Sequence, residues 1–251
     1  MKYTAAAASM STTAAEFYQK VRTIITICSY SLWIGPAIET VYSTGRHVSC
    51  RIDRIARAAR TEHIRGKTTM GKKVLIVSSS LRPNSNSEVL AREVERGARS
   101  AGCDVEFVSL KDRDIRFCRG CLACQKTLTC VIKDDAPAIA EKVRDADVLV
   151  FATPIYYYEL SGQLKTLLDR CNPLFPQEYR FRDVYLVTTS AEDGDEVYET
   201  AVNGLKGWIA CFPQSRFAGV YSGGGASMER IDKDEKFSAM LKGAYEFGRK
   251  M

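Results

Sequence analysis

From residue 70 onward, apolar and polar positions along this chain alternate in a regular rhythm. Residues 74–77, Val-Leu-Ile-Val, are too few for a helix and rich in β-branched side chains, which predicts a buried strand. A polar loop over 78–86 leads into residues 87–101, where Val89, Leu90, Val94 and Ala98 share one helical face and Gly102 is the stop. Residues 105–110 alternate as a second strand. A helix, a strand and a helix follow at 137–146, 147–152 and 162–171. The pattern closes with a strand at 184–188, a helix at 196–210, a strand at 216–220 and a helix at 228–249. Strands alternating with helices predict an α/β fold whose parallel sheet is covered on both faces.

The first 69 residues break this rhythm. An Ala/Ser/Thr-rich start leads to an apolar stretch at 23–38 that contains Ser29, Ser31, Gly35 and Pro36. It falls short of the roughly 20 apolar residues of a membrane-spanning helix, and its flanks fit a secretory signal badly, so no membrane association is expected. Arg51, Arg54, Arg57, Arg60 and Arg65 then recur at near-helical spacing. They could mark a short basic amphipathic helix; the reading adopted is a poorly ordered basic extension. Met70 stands directly before Gly-Lys-Lys-Val-Leu-Ile-Val, so residues 1–69 also read as a start-site artefact, with the folded domain at 70–251.

Charge follows the same division. The net charge of +6 comes from 36 basic and 30 acidic residues, and ten of the former but four of the latter precede Met70. The domain is left neutral, which gives a nucleic-acid partner no support. Both histidines, His47 and His63, also precede Met70, so the domain has no His-based catalytic site. Nine cysteines is a high count, and four crowd into 118–130. Clustered thiols point to metal or redox chemistry in a reducing, cytoplasmic compartment rather than to a secreted disulfide framework. Cys103, Cys171 and Cys211 are expected to be buried small hydrophobes.

Two segments carry candidate chemistry. The loop after the first strand, Ser78-Ser79-Ser80-Leu81-Arg82-Pro83-Asn84-Ser85-Asn86-Ser87, is mostly Ser and Asn and opens into a helix. A helix N-terminus offers unsatisfied N–H groups and partial positive charge, and small hydroxyl side chains let phosphate oxygens approach. Arg82 can add a charge-assisted bond. The loop matches neither a dinucleotide fingerprint nor a Gly-Lys-Ser/Thr loop, and reads as a cup for one terminal phosphate. Ser and Asn are also simply helix-capping residues, so the loop alone leaves both readings open. The second segment, Cys118, Cys121, Cys124 and Cys130, has the spacing C-x2-C-x2-C-x5-C. Four such thiolates suit a 4Fe–4S cluster; zinc, or a redox dithiol made from Cys118 and Cys121 or Cys121 and Cys124, are the other chemistries.

A third stretch, Thr153-Pro154-Ile155-Tyr156-Tyr157-Tyr158-Glu159-Leu160-Ser161-Gly162-Gln163-Leu164-Lys165, stands at the end of the third strand. With the hydroxyl loop ahead of it, residues 72–250 resemble the NAD(P)H-dependent flavin reductase branch of the flavodoxin-like superfamily. The cysteine run resembles that of its iron–sulfur flavoprotein subgroup. The resemblance implies a three-layer, doubly wound, five-stranded parallel sheet of order 2-1-3-4-5 with a Cys-rich insertion at 117–131. It implies FMN held at the phosphate by Ser80, Arg82, Ser85, Asn86 and Ser87. It places Thr153, Pro154, Ile155, Tyr156 and Tyr157 beside the flavin ring, and Thr189, Ser190 and Ala191 as a closing loop. It also implies a 4Fe–4S cluster on the four cysteines and a homodimer or homotetramer. Electrons would pass from NAD(P)H or a ferredoxin-type donor to a small-molecule acceptor. A clusterless NAD(P)H:quinone or flavin reductase, and a non-enzymatic flavin carrier or partner-binding module, are the rival readings.

Overall fold

Three runs rich in Val, Leu and Ile become the central parallel strands of one sheet, because each can bury side chains on both of its faces, and two less apolar runs form its edges. The computed structural model describes residues 71–226 and 230–251; the basic extension, its arginine helix and the start-site reading lie outside them. The strands are β1 (Lys73–Ser78), β2 (Asp104–Ser109), β3 (Val148–Tyr156), β5 (Asp183–Thr189) and β6 (Arg216–Gly223), in the order β2-β1-β3-β5-β6. This is the expected topology with one addition. A two-residue strand, β4 (Glu159–Leu160), folds back antiparallel onto the end of β3.

The helices are α1 (Asn86–Ser100), α2 (Cys124–Thr127), α3 (Ala136–Asp145), α4 (Gly162–Arg170), α5 (Glu196–Ile209) and α6 (Ser238–Gly248). Alternation along the strands sends Leu75, Val77, Leu149 and Phe151 to one face, where they meet Ile139, Leu164, Leu167 and Leu205 of α3, α4 and α5. Val74, Ile76, Val148 and Val150 point to the other face, against Leu90 and Val94 of α1 and Ala244 of α6. The two helices on that face nearly touch. A Cβ on Gly97 would stand 2.0 Å from the Tyr245 carbonyl oxygen, and one on Gly248 would stand 2.1 Å from that of Val94.

The closing helix is shorter than its apolar pattern predicts. Residues 228 and 229 lie outside the described residues, and the helix proper starts at Ser238 after a 3-10 turn, Glu235–Phe237. Asp234 is the reason: its side chain accepts from the Lys236 N–H at 3.0 Å, a local bond that competes with helix. Among the described residues no helix is long and apolar enough to cross a membrane.

Candidate functional site

The carboxyl ends of the parallel strands deliver three loops to one place, as expected for an open α/β sheet. A cleft of about 290 Å³ lies there, walled by Ser80, Arg82, Ser85, Asn86, Ser87, Pro154, Ile155, Tyr156, Thr189, Ser190, Ala191 and Ala226. The first loop is braced by hydrogen bonds. Ser79 donates from its backbone N–H to the Ala152 carbonyl at 2.9 Å, and its hydroxyl meets that of Ser161 at 2.9 Å. Ser85 caps α1, its hydroxyl accepting from the Glu88 N–H at 3.3 Å and lying 3.3 Å from the Ser87 hydroxyl. Ser80, Ser85, Asn86 and Ser87 are buried, while Arg82 is exposed at the rim. The first turn of α1 therefore opens into a pocket of hydroxyls with one guanidinium beside it.

Of two further expected residues, Asn86 walls the cleft while bonding across it and Thr153 lies outside the lining. The Asn86 amide donates to the Ala226 carbonyl at 3.0 Å and accepts from the Ile231 N–H at 3.3 Å, so it staples the loop after β6 into the wall. Thr153 does not line the cleft. Its hydroxyl donates to the Pro154 carbonyl at 3.0 Å and accepts from the Ser161 N–H at 3.1 Å, bracing the start of α4 against β3.

Between β3 and β4 the chain reverses through two residues, Tyr157 and Tyr158, with φ of +51° and +64°. Two-residue hairpins favour positive φ at both central positions, which Asn-Gly meets at little steric cost and tyrosine does not. Tyr157 is fully exposed, and instead of the cleft it lines a neighbouring cavity of about 340 Å³ with Tyr158, Glu192 and Val197. Ile155, Ser190 and Ala191 border both spaces. Tyr158 donates to Glu192 Oε2 at 3.0 Å, and this bond to a carboxylate raises the phenol's pKa.

The third loop looks too acidic to approach a ligand closely, but glycines elsewhere make room for it. Gly223 ends β6 and Gly224 and Gly225 follow it, and a Cβ on Gly224 would meet Asp193 Oδ1 at 2.4 Å and the Glu192 carbonyl oxygen at 2.8 Å. The Ala226 N–H donates to the Ser190 carbonyl at 3.1 Å. Ala226 was not legible as a wall residue; the triple glycine just before it was the available signal.

The cysteine run rises from a pinned base. Asp135 Oδ2 accepts from the Asp114 N–H at 2.8 Å, and Asp134 Oδ2 from the Arg116 N–H at 2.9 Å. Within the loop Gly120, Leu122 and Leu128 have positive φ. Cys118 and Cys121 are exposed, Cys130 is half-buried and Cys124 is buried, all as free thiols. Among the described residues no three Cys, His, Asp or Glu side chains are placed to hold a metal ion, so the loop does not gather its sulfurs here. Of the other cysteines, Cys171 is buried as expected, its thiol pushed up to about 12 by burial. Cys211 is exposed and Cys103 half-buried, contrary to expectation, because both sit in exposed stretches of chain, with Gly102 and Asp104 on either side of Cys103 and Ala210 before Cys211.

Beneath the loop lies a buried ion pair that the sequence reading missed. Arg170, the last residue of α4, donates from Nη1 to Asp134 Oδ2 at 2.6 Å and from Nη2 to Asp134 Oδ1 at 2.9 Å, and both side chains are inaccessible. Burial opposes ionisation of Asp134, but bonds from Arg170 and from the Arg116 and Ala136 N–H groups outweigh it and hold the carboxyl below its ordinary range. An arginine at the end of an amphipathic helix carries no sequence mark of burial, which explains the miss.

The donor set of the loop, four thiols, fits an iron–sulfur cluster, and so does one orphaned atom. Arg170 Nε is buried without a hydrogen-bond partner, beside Cys130.

Comparison with known proteins agrees with the fold. The chain is 38% identical to an iron-sulfur flavoprotein of Methanocaldococcus jannaschii over 41% of this chain and 53% of that protein. It is 34% identical to an iron-sulfur flavoprotein of Archaeoglobus fulgidus over 50% and 63% respectively. The alignments thus span roughly half to two thirds of these relatives. In fold it is similar to an azoreductase from Bacillus anthracis (TM-score 0.54, 16% identity, 72% of this chain and 100% of that one). It is likewise similar to an NAD(P)H:quinone oxidoreductase from Methanothermobacter marburgensis (TM-score 0.53, 14% identity, 71% and 98%). The family model for NADPH-dependent FMN reductase matches residues 72–220, more than half of the sequence, and the chain belongs to that family.

Proposed function

We propose that this chain is an FMN-dependent oxidoreductase of the iron–sulfur flavoprotein kind. It would take electrons from NAD(P)H or a ferredoxin-type donor and pass them to a small-molecule acceptor. The observation that carries the reading is the convergence of Ser80, Arg82, Ser85 and Ser87 with Pro154, Ile155 and Tyr156 and with Thr189, Ser190 and Ala191 around one cleft. FMN is anionic at one end and flat and aromatic at the other. The hydroxyls, Arg82 and the first turn of α1 suit the phosphate. Pro154, Ile155 and Tyr156 suit the ring, which they would position and shield from water while Asn86 and Thr153 hold the walls. Hydride and single-electron chemistry is what the flavin supplies when bound. Cys118, Cys121, Cys124 and Cys130 would hold a 4Fe–4S cluster, for which the thiol spacing and the names of the relatives speak. The exposed Tyr156, Tyr157 and Tyr158 suit a subunit interface, in a homodimer or homotetramer of the 70–251 domain.

Anaerobic purification with flavin, iron and sulfide analysis tests the reading, followed by NAD(P)H oxidation with a quinone. Stoichiometric FMN, iron and sulfide with steady turnover is expected. Protein that binds no flavin would overturn it, and flavin with reduction solely by a protein donor would favour a carrier. A second reading, a clusterless NAD(P)H:quinone or flavin reductase, draws on the scattered thiols of the loop; FMN and turnover without iron would select it.

A further inference from the structure

The end of α4 and the segment just after it point three polar groups at the cysteine loop, and the flavin cleft uses none of them. Asn172 donates from Nδ2 to Cys124 Sγ at 3.2 Å. Gln177 donates from Nε2 to the Leu128 carbonyl at 3.0 Å, and so holds the left-handed bend between Cys124 and Cys130. Arg170 is tied by its two terminal nitrogens to Asp134 and to the Arg116 carbonyl, the latter at 2.6 Å, which leaves Nε as a buried donor with no hydrogen-bond acceptor. Cys130 is the neighbour of this guanidinium on the side of the loop. A fully buried arginine is costly, and an unpaired N–H on it more so, unless an anionic acceptor completes the shell.

We infer that Arg170, Asn172 and Asp134 form the outer shell that sets the reduction potential of the group held by the four cysteines. The inference rests on the cluster reading given above and deepens it. Groups around a sulfur-ligated metal tune it through N–H···S bonds, net charge and exclusion of water. Reduction adds a negative charge, which N–H donors and a nearby cation favour and a nearby carboxylate opposes. Asn172 and Arg170 therefore raise the potential, and Asp134 moderates Arg170. These are positioning residues acting through cysteines, and their effects have opposite signs, which a merely structural role would not produce.

The test is a mediator-buffered redox titration of the anaerobically prepared full chain, followed by low-temperature EPR, with iron and sulfide measured on each sample. Asn172→Ala removes one N–H···S bond at a half-buried position and is expected to fold. It should lower the potential by about 59 mV, a tenfold shift in a one-electron equilibrium. Asp134→Asn keeps an oxygen to accept from the Arg116 N–H and should shift the potential upward. Wild-type iron and sulfide with an Asn172→Ala potential within twofold of the parent equilibrium would overturn this inference alone. Shifts of the same sign in both variants would do so too. Parent protein that holds flavin but no iron after reconstitution would overturn the cluster reading, and this inference with it.

Discussion

The loop after β1 and the loop after β2 leave neighbouring parallel strands, yet they are built in contrasting ways. The first is short, and its hydroxyls are buried and bonded to one another, to β3 and to the start of α4. The second is long and carries Phe117, Leu122, Leu128 and Val131 exposed. It is tied down at its base and at two points by the segment after α4. A site for a phosphate can be finished by backbone and hydroxyls, since the sheet edge and the helix N-terminus already supply its field. A site for a soft metal group depends on ligands that complete their own geometry, because metal binding and local folding are coupled.

The largest effect that would sharpen this contrast is at the buried pair. Asp134→Ala leaves Arg170 charged and uncompensated, and should cost about 3–5 kcal/mol in urea denaturation. The pH dependence has a fixed sign. The folded Asp134 carboxyl is held below its ordinary 3.8, so its stabilisation is complete above that value and is lost as pH falls through the lowered folded value. Denaturation midpoints followed downward from pH 6 should fall less steeply in Asp134→Asn than in the parent.

Next in size is Arg82→Ala, which removes a charged hydrogen bond worth about 1.5–3 kcal/mol. FMN affinity should fall roughly tenfold or more in a fluorescence titration, with iron content unchanged. An equal loss of iron would show that the two loops are one unit rather than two. The paired change Tyr157→Asn with Tyr158→Gly relieves the strained turn and should raise thermal stability by roughly 1–2 kcal/mol. Slower turnover in that variant would assign the strain to function. Smallest is Ser85→Ala, where loss of the cap on α1 should cost about 1 kcal/mol.

The strands, the helices and the covering of the sheet on both faces were legible because each rests on local signals, β-branched runs, helix faces and capping residues, whereas the strand order came through likeness to a family. Pro154, Ile155, Tyr156, Ser190 and Ala191 were placed beside the cleft through their likeness to a family, and the structure puts them there. Thr153, placed by the same likeness beside the ring, turns its hydroxyl to Pro154 and Ser161 instead, while Asn86 walls the cleft and its amide bonds to residues at least 140 positions away, which no local pattern encodes. Arg170 and Asp134 escaped for the same reason, being 36 residues apart. Tyr157 turned outward because β4, two residues long, was too short to leave a pattern and creates the hairpin that carries it.

Titration of flavin-stripped protein with FMN, followed by flavin fluorescence, tests the central claim most directly. Saturable binding at one site per chain, weakened in Arg82→Ala and unaffected by Asn172→Ala, is the expected result. Folded protein that leaves FMN fluorescence unchanged at high micromolar concentration would contradict it.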